Sequence, residues 1–314
     1  MIRGLIFDIN GTVTDILTDE GCGEIYRVLS NFLDYQGISL SPDSVRQLYF
    51  DLNKRQRRES KEEFPEFDVV EIFREIVETY ATGFTHSLPK ARRKVLPEML
   101  AEVFRAASRF KLQLYPGVRE VLDGLRGRYQ LAALSDGQAL WAVPELQSVG
   151  LLDYFKPVIV SSDLGYRKPD VRMFESMLVE MNLTPAEVIF IGNDMYRDVF
   201  GANRLGIKTV FFKSNQGEQR KSGAEPDYII YDFRQLPEAV RFLEARAGKM
   251  RGGKRRALWS RAGIRSGSLR LSGRIRILLQ AASSAAAAGR GSPRFRLRRA
   301  GWRSRSYSIR PSRI

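Results

Sequence analysis

Six short apolar runs, at residues 5–7, 131–134, 158–160, 188–191, 209–212 and 228–231, set the limits on how this chain can fold. Each is followed by turn or polar residues, and most then lead into a helical pattern. Uninterrupted apolar strands alternating with helices predict a parallel sheet covered on both faces, an α/β core. One connecting helix is expected to start at Thr184-Pro185-Ala186-Glu187, which fits an N-cap, a proline at the first helical position and a capping-box glutamate.

The stretch between the first two runs, roughly residues 15 to 115, is too long for one crossover, and its apolar spacing reads as wholly helical. Ile25, Val28, Leu29, Phe32 and Leu33 recur at i, i+3, i+4, i+7 and i+8. Val45, Leu48, Tyr49 and Leu52 repeat the pattern behind a Ser41-Pro42 start. Val69, Ile72, Phe73, Ile76 and Tyr80 do so again, as do Leu100, Val103, Phe104 and Ala107. A bundle of about four helices is expected, inserted just after the first strand. The charge run at residues 55–63 reads as a solvated helix end or loop rather than a binding site.

Charge divides the chain further. The whole carries +15, but from Lys249 to the end there are 17 Arg, 2 Lys and no acid. The remainder holds 32 basic and 36 acidic residues, a net charge of −4. The expected division is therefore a core of residues 1–14 and 116–246, a helical insert of 15–115, and a basic, disordered tail of 247–314. The tail has Trp259, Phe295, Trp302 and Tyr307 among its arginines, a composition able to bind nucleic acid or another polyanion without sequence preference. Its abrupt start and its Arg, Ser, Gly and Ala content fit an altered reading frame better.

One cysteine, Cys22, excludes an internal disulfide and a cysteine-based zinc cluster. One histidine, His86, makes a histidine-dependent triad improbable. No run of about 18 apolar residues is present and the N-terminus reads as a strand, so no membrane insertion and a cytoplasmic location are expected. The chemistry should rest on carboxylates, Lys, Ser and Thr.

Four polar clusters stand where strands end: Asp8-Ile9-Asn10-Gly11-Thr12, Ser135-Asp136-Gly137, Lys168-Pro169-Asp170, and Gly192-Asn193-Asp194 with Asp198. Ligands of open parallel sheets bind beyond the carboxyl ends of the strands, so these clusters should converge on one crevice. In order and spacing they resemble the four motifs of the haloacid dehalogenase superfamily, with that family's helical cap between the first and second. The resemblance covers about residues 1 to 246 and implies a Rossmann-like, three-layer core whose cap closes over the cleft.

What the resemblance implies for single residues is specific. Asp8 is the nucleophile. Magnesium is held by a carboxylate oxygen of Asp8, the backbone carbonyl of Asn10 and the carboxylate of Asp194, with Asp198 behind it or holding Lys168. The alternative for Asp198 is an acid stabilising a helix dipole. Lys168 offsets the charge of Asp8 and of the covalent intermediate, while Ser135, Thr12 and loop amides bind the transferred group. Asp136 is either a further substrate contact or a helix cap.

One departure matters. Family phosphatases carry a second Asp two residues after the nucleophile, and here that position is Asn10, which cannot deliver a proton. Asn193 likewise replaces an acid beside Asp194. Three readings follow: a slow phosphatase acting on a small phosphorylated metabolite through an aspartyl-phosphate, a 2-haloacid dehalogenase-like hydrolase, or a non-catalytic relative. Asn10-Gly11 is also a sequence prone to deamidation, which would restore the missing acid. Substrate identity and oligomeric state are not readable from these motifs.

Overall fold

The structure, a computed structural model, describes the backbone of residues 1–251 and side chains through Arg246. The expectations for the basic tail, including polyanion binding, fall outside the described residues. In chain order, β1 (Gly4–Phe7) and β2 (Thr14–Thr18) lead into α1 (Gly23–Asp34), α2 (Pro42–Glu59), α3 (Val69–Tyr80), α4 (Gly83–Ser87) and α5 (Lys90–Ser108). Then come β3 (Arg109–Leu114), α6 (Val118–Leu125), β4 (Gln130–Ser135), α7 (Ala139–Ser148) and β5 (Val158–Val160). The chain continues through α8 (Val171–Met181), β6 (Val188–Gly192), a π-helical turn at Met195–Phe200, α9 (Gly201–Asn203), β7 (Lys208–Phe212), β8 (Tyr228–Ile230) and α10 (Leu236–Arg251).

All six apolar runs are strands of one parallel sheet in the order β5-β4-β1-β6-β7-β8. Alternate residues of β1 serve opposite layers. Leu5 and Phe7 pack with Val118 and Leu122 of α6 and with Leu236 and Val240 of α10. Ile6 packs with Met173, Phe174 and Met177 of α8. The core is thus a three-layer, Rossmann-like sandwich, because each strand is apolar on both faces and must be covered twice. From central β1 the chain passes first to β4 on one side and later to β6 on the other. That reversal opens a crevice beyond the carboxyl end of β1, where Asp8 stands.

The helical insert has its own core, in which Tyr26, Tyr49, Phe73 and Phe104 are fully buried, with Tyr49 and Phe104 each in contact with the other three rings. Ser41 caps α2 with Pro42 at its first turn, as the sequence predicts, and Asp68 caps α3. Two ties bind the insert to α7 of the core. Trp141 Nε1 donates to Ala101 O at 3.0 Å, and Glu145 accepts a two-pronged bond from Arg105 at 2.7 and 3.0 Å.

Four expectations are corrected. The stretch from 15 to 115 is not wholly helical: β2 and β3 pair antiparallel, Thr14 against Leu114, so the insert leaves and rejoins the core through a two-stranded ribbon. It carries five helices, the short α4 having no apolar stripe long enough to read. Thr184–Glu187 forms its capping box, yet closes a single 3₁₀ turn, because Val188 already begins β6. The charge run is only partly solvated. Arg55 pairs with Glu75 at the surface, whereas Arg57 turns inward over the Phe67 ring toward buried Glu66. Among the described residues no helix is long and apolar enough to cross a membrane.

Candidate active site

The four strand-end clusters meet in one cavity of about 510 Å³. Asp8 follows directly from β1, its amide donating to Ile191 O at 2.9 Å, and its side chain is nearly buried. Lys168 Nζ donates to Asp8 Oδ1 at 2.6 Å, to Asp198 Oδ1 at 2.7 Å and to Leu134 O at 3.2 Å. An ammonium has three N–H groups, and all three are spent. Burial pulls the Lys168 ammonium down, but Asp198, Asp8 and Asp136 together outweigh it and hold the group above the usual lysine value. Lys168 is therefore a fixed positive charge that orients Asp8, with no free donor for a ligand.

Asp198 is the rear wall of this arrangement. Besides Lys168 it accepts the amides of Asn193 and Asp194, each at 3.0 Å. Its return to the strand end needs Gly192, where a Cβ would lie 2.4 Å from Asp198 Oδ2. Burial, only partly opposed by Lys168 and reinforced by the charge of Asp8, pushes the Asp198 carboxyl up to about 6.

The loop after Asp8 turns at Gly11, whose φ of +85° favours glycine and whose absent side chain makes room for Asn193: a Cβ would stand 2.3 Å from Asn193 Nδ2. Thr12 Oγ1 lies 3.1 Å from Asp8 Oδ2 and 3.0 Å from Asn193 Oδ1, so one hydroxyl proton has two acceptors. Asn10 lines the cavity with its amide oxygen bonded to Thr14 Oγ1. The Gly11 amide donates to Thr14 O at 2.8 Å, so both groups that would close a succinimide are engaged and deamidation is disfavoured here.

Ser135 and Thr12 are not among the residues lining the cavity. Ser135 is buried, its hydroxyl donating to Asp136 O at 3.2 Å. Asp136 does reach the wall. Its Oδ1 accepts the Lys168 amide at 2.9 Å, and its Oδ2 is buried without a hydrogen-bond partner, 3.6 Å from Arg167 Nε and 4.0 Å from Arg197 Nη1.

Asp194 lies on the same wall but is not open. Its oxygens accept the amides of Tyr196, Arg197 and Glu218 and a two-pronged bond from Arg197 Nε and Nη2, at 2.7 to 3.0 Å. Burial raises this carboxyl, and Arg197 outweighs burial, so it sits below the usual carboxylate range. Five donors fill the roughly four lone-pair positions of a carboxylate. Among the described residues no three His, Cys, Asp or Glu side chains are grouped so as to hold a metal ion. Of the magnesium site that the motifs imply, the two carboxylates of the last cluster do not fit a metal ion as they stand: Asp194 is closed by Arg197, and Asp198 by Lys168 and two amides.

Arg167 and Arg197 line the same cavity and were not singled out by motif reading. Both were legible as neighbours: Arg167 precedes Lys168, and Arg197 follows Asp194 at the i, i+3 spacing of a helical ion pair. Lys111 and Asp15 of the ribbon form an ion pair at the rim, and Gln216 reaches across to Asp15 Oδ1 at 3.2 Å. A second cavity of about 400 Å³ shares Asn10, Arg105, Asp136 and Arg167 with the first and extends beneath the insert to Phe67 and Trp141.

Comparison with known proteins gives a consistent picture. A family model described as haloacid dehalogenase-like hydrolase matches residues 2–206. A glyceraldehyde 3-phosphate phosphatase of Pyrococcus furiosus is 27% identical over 186 residues, 58% of this chain and 77% of that protein. A phosphoserine phosphatase of Thermus thermophilus is 32% identical over 143 residues, 44% of this chain and 55% of that protein. Several of the curated relatives are thus matched over little more than half their length. A crystal structure of a 2-haloacid dehalogenase from Pseudomonas syringae superposes with a TM-score of 0.56 at 20% identity, covering 77% of this chain and 99% of that one, and so shares the fold.

Proposed function

The chain belongs to the haloacid dehalogenase-like hydrolase family, and from that membership we propose that it is a phosphohydrolase of small phosphorylated metabolites, working through an aspartyl-phosphate. The observation that carries the reading is Asp8 held 2.6 Å from a buried lysine in a cavity whose wall also carries Arg167 and Arg197. A carboxylate and an anionic substrate repel unless fixed cations lie beside them, and this cavity supplies those cations. The names of the relatives, phosphatases of glyceraldehyde 3-phosphate and phosphoserine, point to the same substrate class.

In the first half-reaction Asp8 Oδ2 attacks phosphorus. The Thr12 hydroxyl turns toward Asn193 and frees that oxygen, while Lys168 keeps Oδ1 in place. The bond from phosphorus to the ester oxygen breaks, and the departing oxygen keeps the electron pair. Water then attacks the same phosphorus, the bond to Asp8 opens, and phosphate leaves with Asp8 restored as a carboxylate. Asn10 can steady the departing oxygen but cannot protonate it. The proton must come from solvent, and turnover is slow unless the leaving group is stable as an anion. Ser135 supports the Asp136 backbone in this scheme, and Asp136 with the two arginines meets the substrate. No step passes through magnesium, because the carboxylate expected to hold it is closed.

A second reading, a 2-haloacid dehalogenase, is favoured by two observations. Halide departs without a proton, so Asn10 costs nothing, and the Asp194–Arg197 pair closes the carboxylate expected to hold a metal. Asp8 would then attack carbon and form an ester. The experiment is a release assay over sugar phosphates, nucleotides, phosphoserine and 2-haloacids, with the wild type, Asp8→Asn and Asn10→Asp. Phosphate release lost in Asp8→Asn supports the first reading, and halide release supports the second. A chain that releases neither, with Asn10→Asp equally silent, is non-catalytic.

A further inference from the structure

Lys168 has no N–H left for a ligand, so the group that binds the transferred anion must be found elsewhere on the cavity wall. Arg197 commits Nε and Nη2 to Asp194 at 2.9 and 2.7 Å, and its Nη1 lies 4.0 Å from Asp136 Oδ2, beyond hydrogen-bond distance. Arg167 Nε approaches the same oxygen at 3.6 Å and Glu66 Oε2 at 4.0 Å, and neither is a hydrogen bond. Two guanidinium groups therefore face one buried, unpartnered carboxylate oxygen at a distance no hydrogen bond spans.

The charges of the wall complete the case. It holds five cations, Arg105, Lys111, Arg167, Lys168 and Arg197, and five carboxylates, Asp8, Asp15, Asp136, Asp194 and Asp198. Arg105 is already paired with buried Glu145 behind the wall, Lys111 with Asp15, and Lys168 with Asp8 and Asp198, so Arg167 and Arg197 are the cations left to meet an anion. A divalent cation seated on Asp194 would have to displace a two-pronged guanidinium bond and then lie beside the charge it displaced.

We propose that Arg197 stands in for the divalent cation of this family, binding the transferred anionic group on its guanidinium together with Arg167, so that the site works without metal. Asp194 is then a positioning residue that fixes the guanidinium plane, and Asp136 holds the two arginines apart until an anion enters. This rests on the phosphohydrolase reading only for the identity of the anion. It also accounts for the two neutral residues, Asn10 and Asn193, at positions where the family motifs carry acids: a guanidinium needs fewer carboxylates around it than a metal does.

The test separates the two claims, because it reads binding rather than turnover. Manganese chloride and, separately, inorganic phosphate in EDTA are titrated calorimetrically into the full chain, its Arg197→Ala and Arg197→Lys variants and Asp194→Asn. The proposal expects no saturable manganese site in the wild type below about 1 mM. It expects phosphate to bind in EDTA and its affinity to fall about tenfold or more in Arg197→Ala, with Arg197→Lys recovering part of the loss. Arg197→Ala uncovers Asp194 and is expected to gain manganese affinity. The Lys variant guards against a misfolded Ala variant, since it keeps the charge. Saturable manganese binding to the wild type that Asp194→Asn abolishes would overturn the proposal, and so would phosphate affinity that Arg197→Ala leaves within tenfold of wild type. Neither outcome depends on which ester, if any, the chain cleaves.

Discussion

Replacing Lys168 with methionine keeps most of the length of the side chain and removes its charge. Lys168 is 3% exposed, and its three acceptors are a backbone carbonyl and two carboxylates, Asp8 and Asp198, themselves 6% and 1% exposed. Breaking a buried ion pair from one side costs roughly 3–5 kcal/mol, because the remaining charge is left uncompensated. Asp198 keeps two backbone amides and Asp8 keeps Thr12, which argues for the lower end, about 3 kcal/mol. For a domain of this size that is a fall in Tm of roughly 6–12 °C. The deficit should depend on pH with a definite sign. Asp198 already has a raised carboxyl pKa, and losing Lys168 raises it further. A carboxyl raised on folding contributes stability that is complete below its unfolded value, near 4, and lost as pH climbs through its folded value. The variant should therefore lie furthest below the wild type at pH 8 and closer to it at pH 5. Urea denaturation at both pH values, followed by tryptophan fluorescence, measures it. A loss under about 1 kcal/mol at pH 8, or one that grows on acidification, would refute the reasoning.

Four further outcomes are expected. Asn10→Asp should raise phosphate release by about 10²-fold or more by restoring a proton donor, read as kcat on a poor leaving group. Activity should fall on the acid side as Asp198 takes up its proton near pH 6, without a matching fall in Tm, and Asp198→Asn should flatten that limb. Phe104→Ala should cost about 3–5 kcal/mol, since Phe104 is fully buried with ring centroids at 4.4 Å from Tyr49 and 6.0 Å from Trp141. Glu145→Ala should cost about 3 kcal/mol by stranding Arg105, and limited proteolysis should then cut the insert sooner than the core.

The sheet was legible because its inner strands are covered on both faces and so carry few polar residues to blur them: Val188, Ile189, Phe190 and Ile191 cannot be mistaken. The ribbon was not. Phe110, Leu112 and Leu114 do alternate, but they follow α5 without a break, and a three-residue alternation is easily absorbed into the helical period before it. In the site, the approach of Asp8 and Asp198 follows from neighbouring strands ending side by side, whereas Lys168 is brought to them by the loop between β5 and α8. The fate of Asp194 could not be read. A carboxylate at the start of a helix suits a metal, an amide cluster or an arginine equally, and the choice depends on which way Arg197 points, which spacing does not encode. Ser135 illustrates the same limit: it stands where a ligand contact was expected, yet its hydroxyl turns back to its own chain.

The pairing of β2 with β3 has a practical corollary. Leu17 and Lys111 face each other across it, so everything between them hangs from one seam. An engineer could cut there and close the gap with a short hairpin, or graft a foreign bundle onto the same two stubs, and no strand of the six-membered sheet would need to move. The scars would be the patch around Trp141 and the carboxylate of Glu145, bared when their cover is lifted, and any replacement module would have to bring an apolar side and a cation of its own to lay over them.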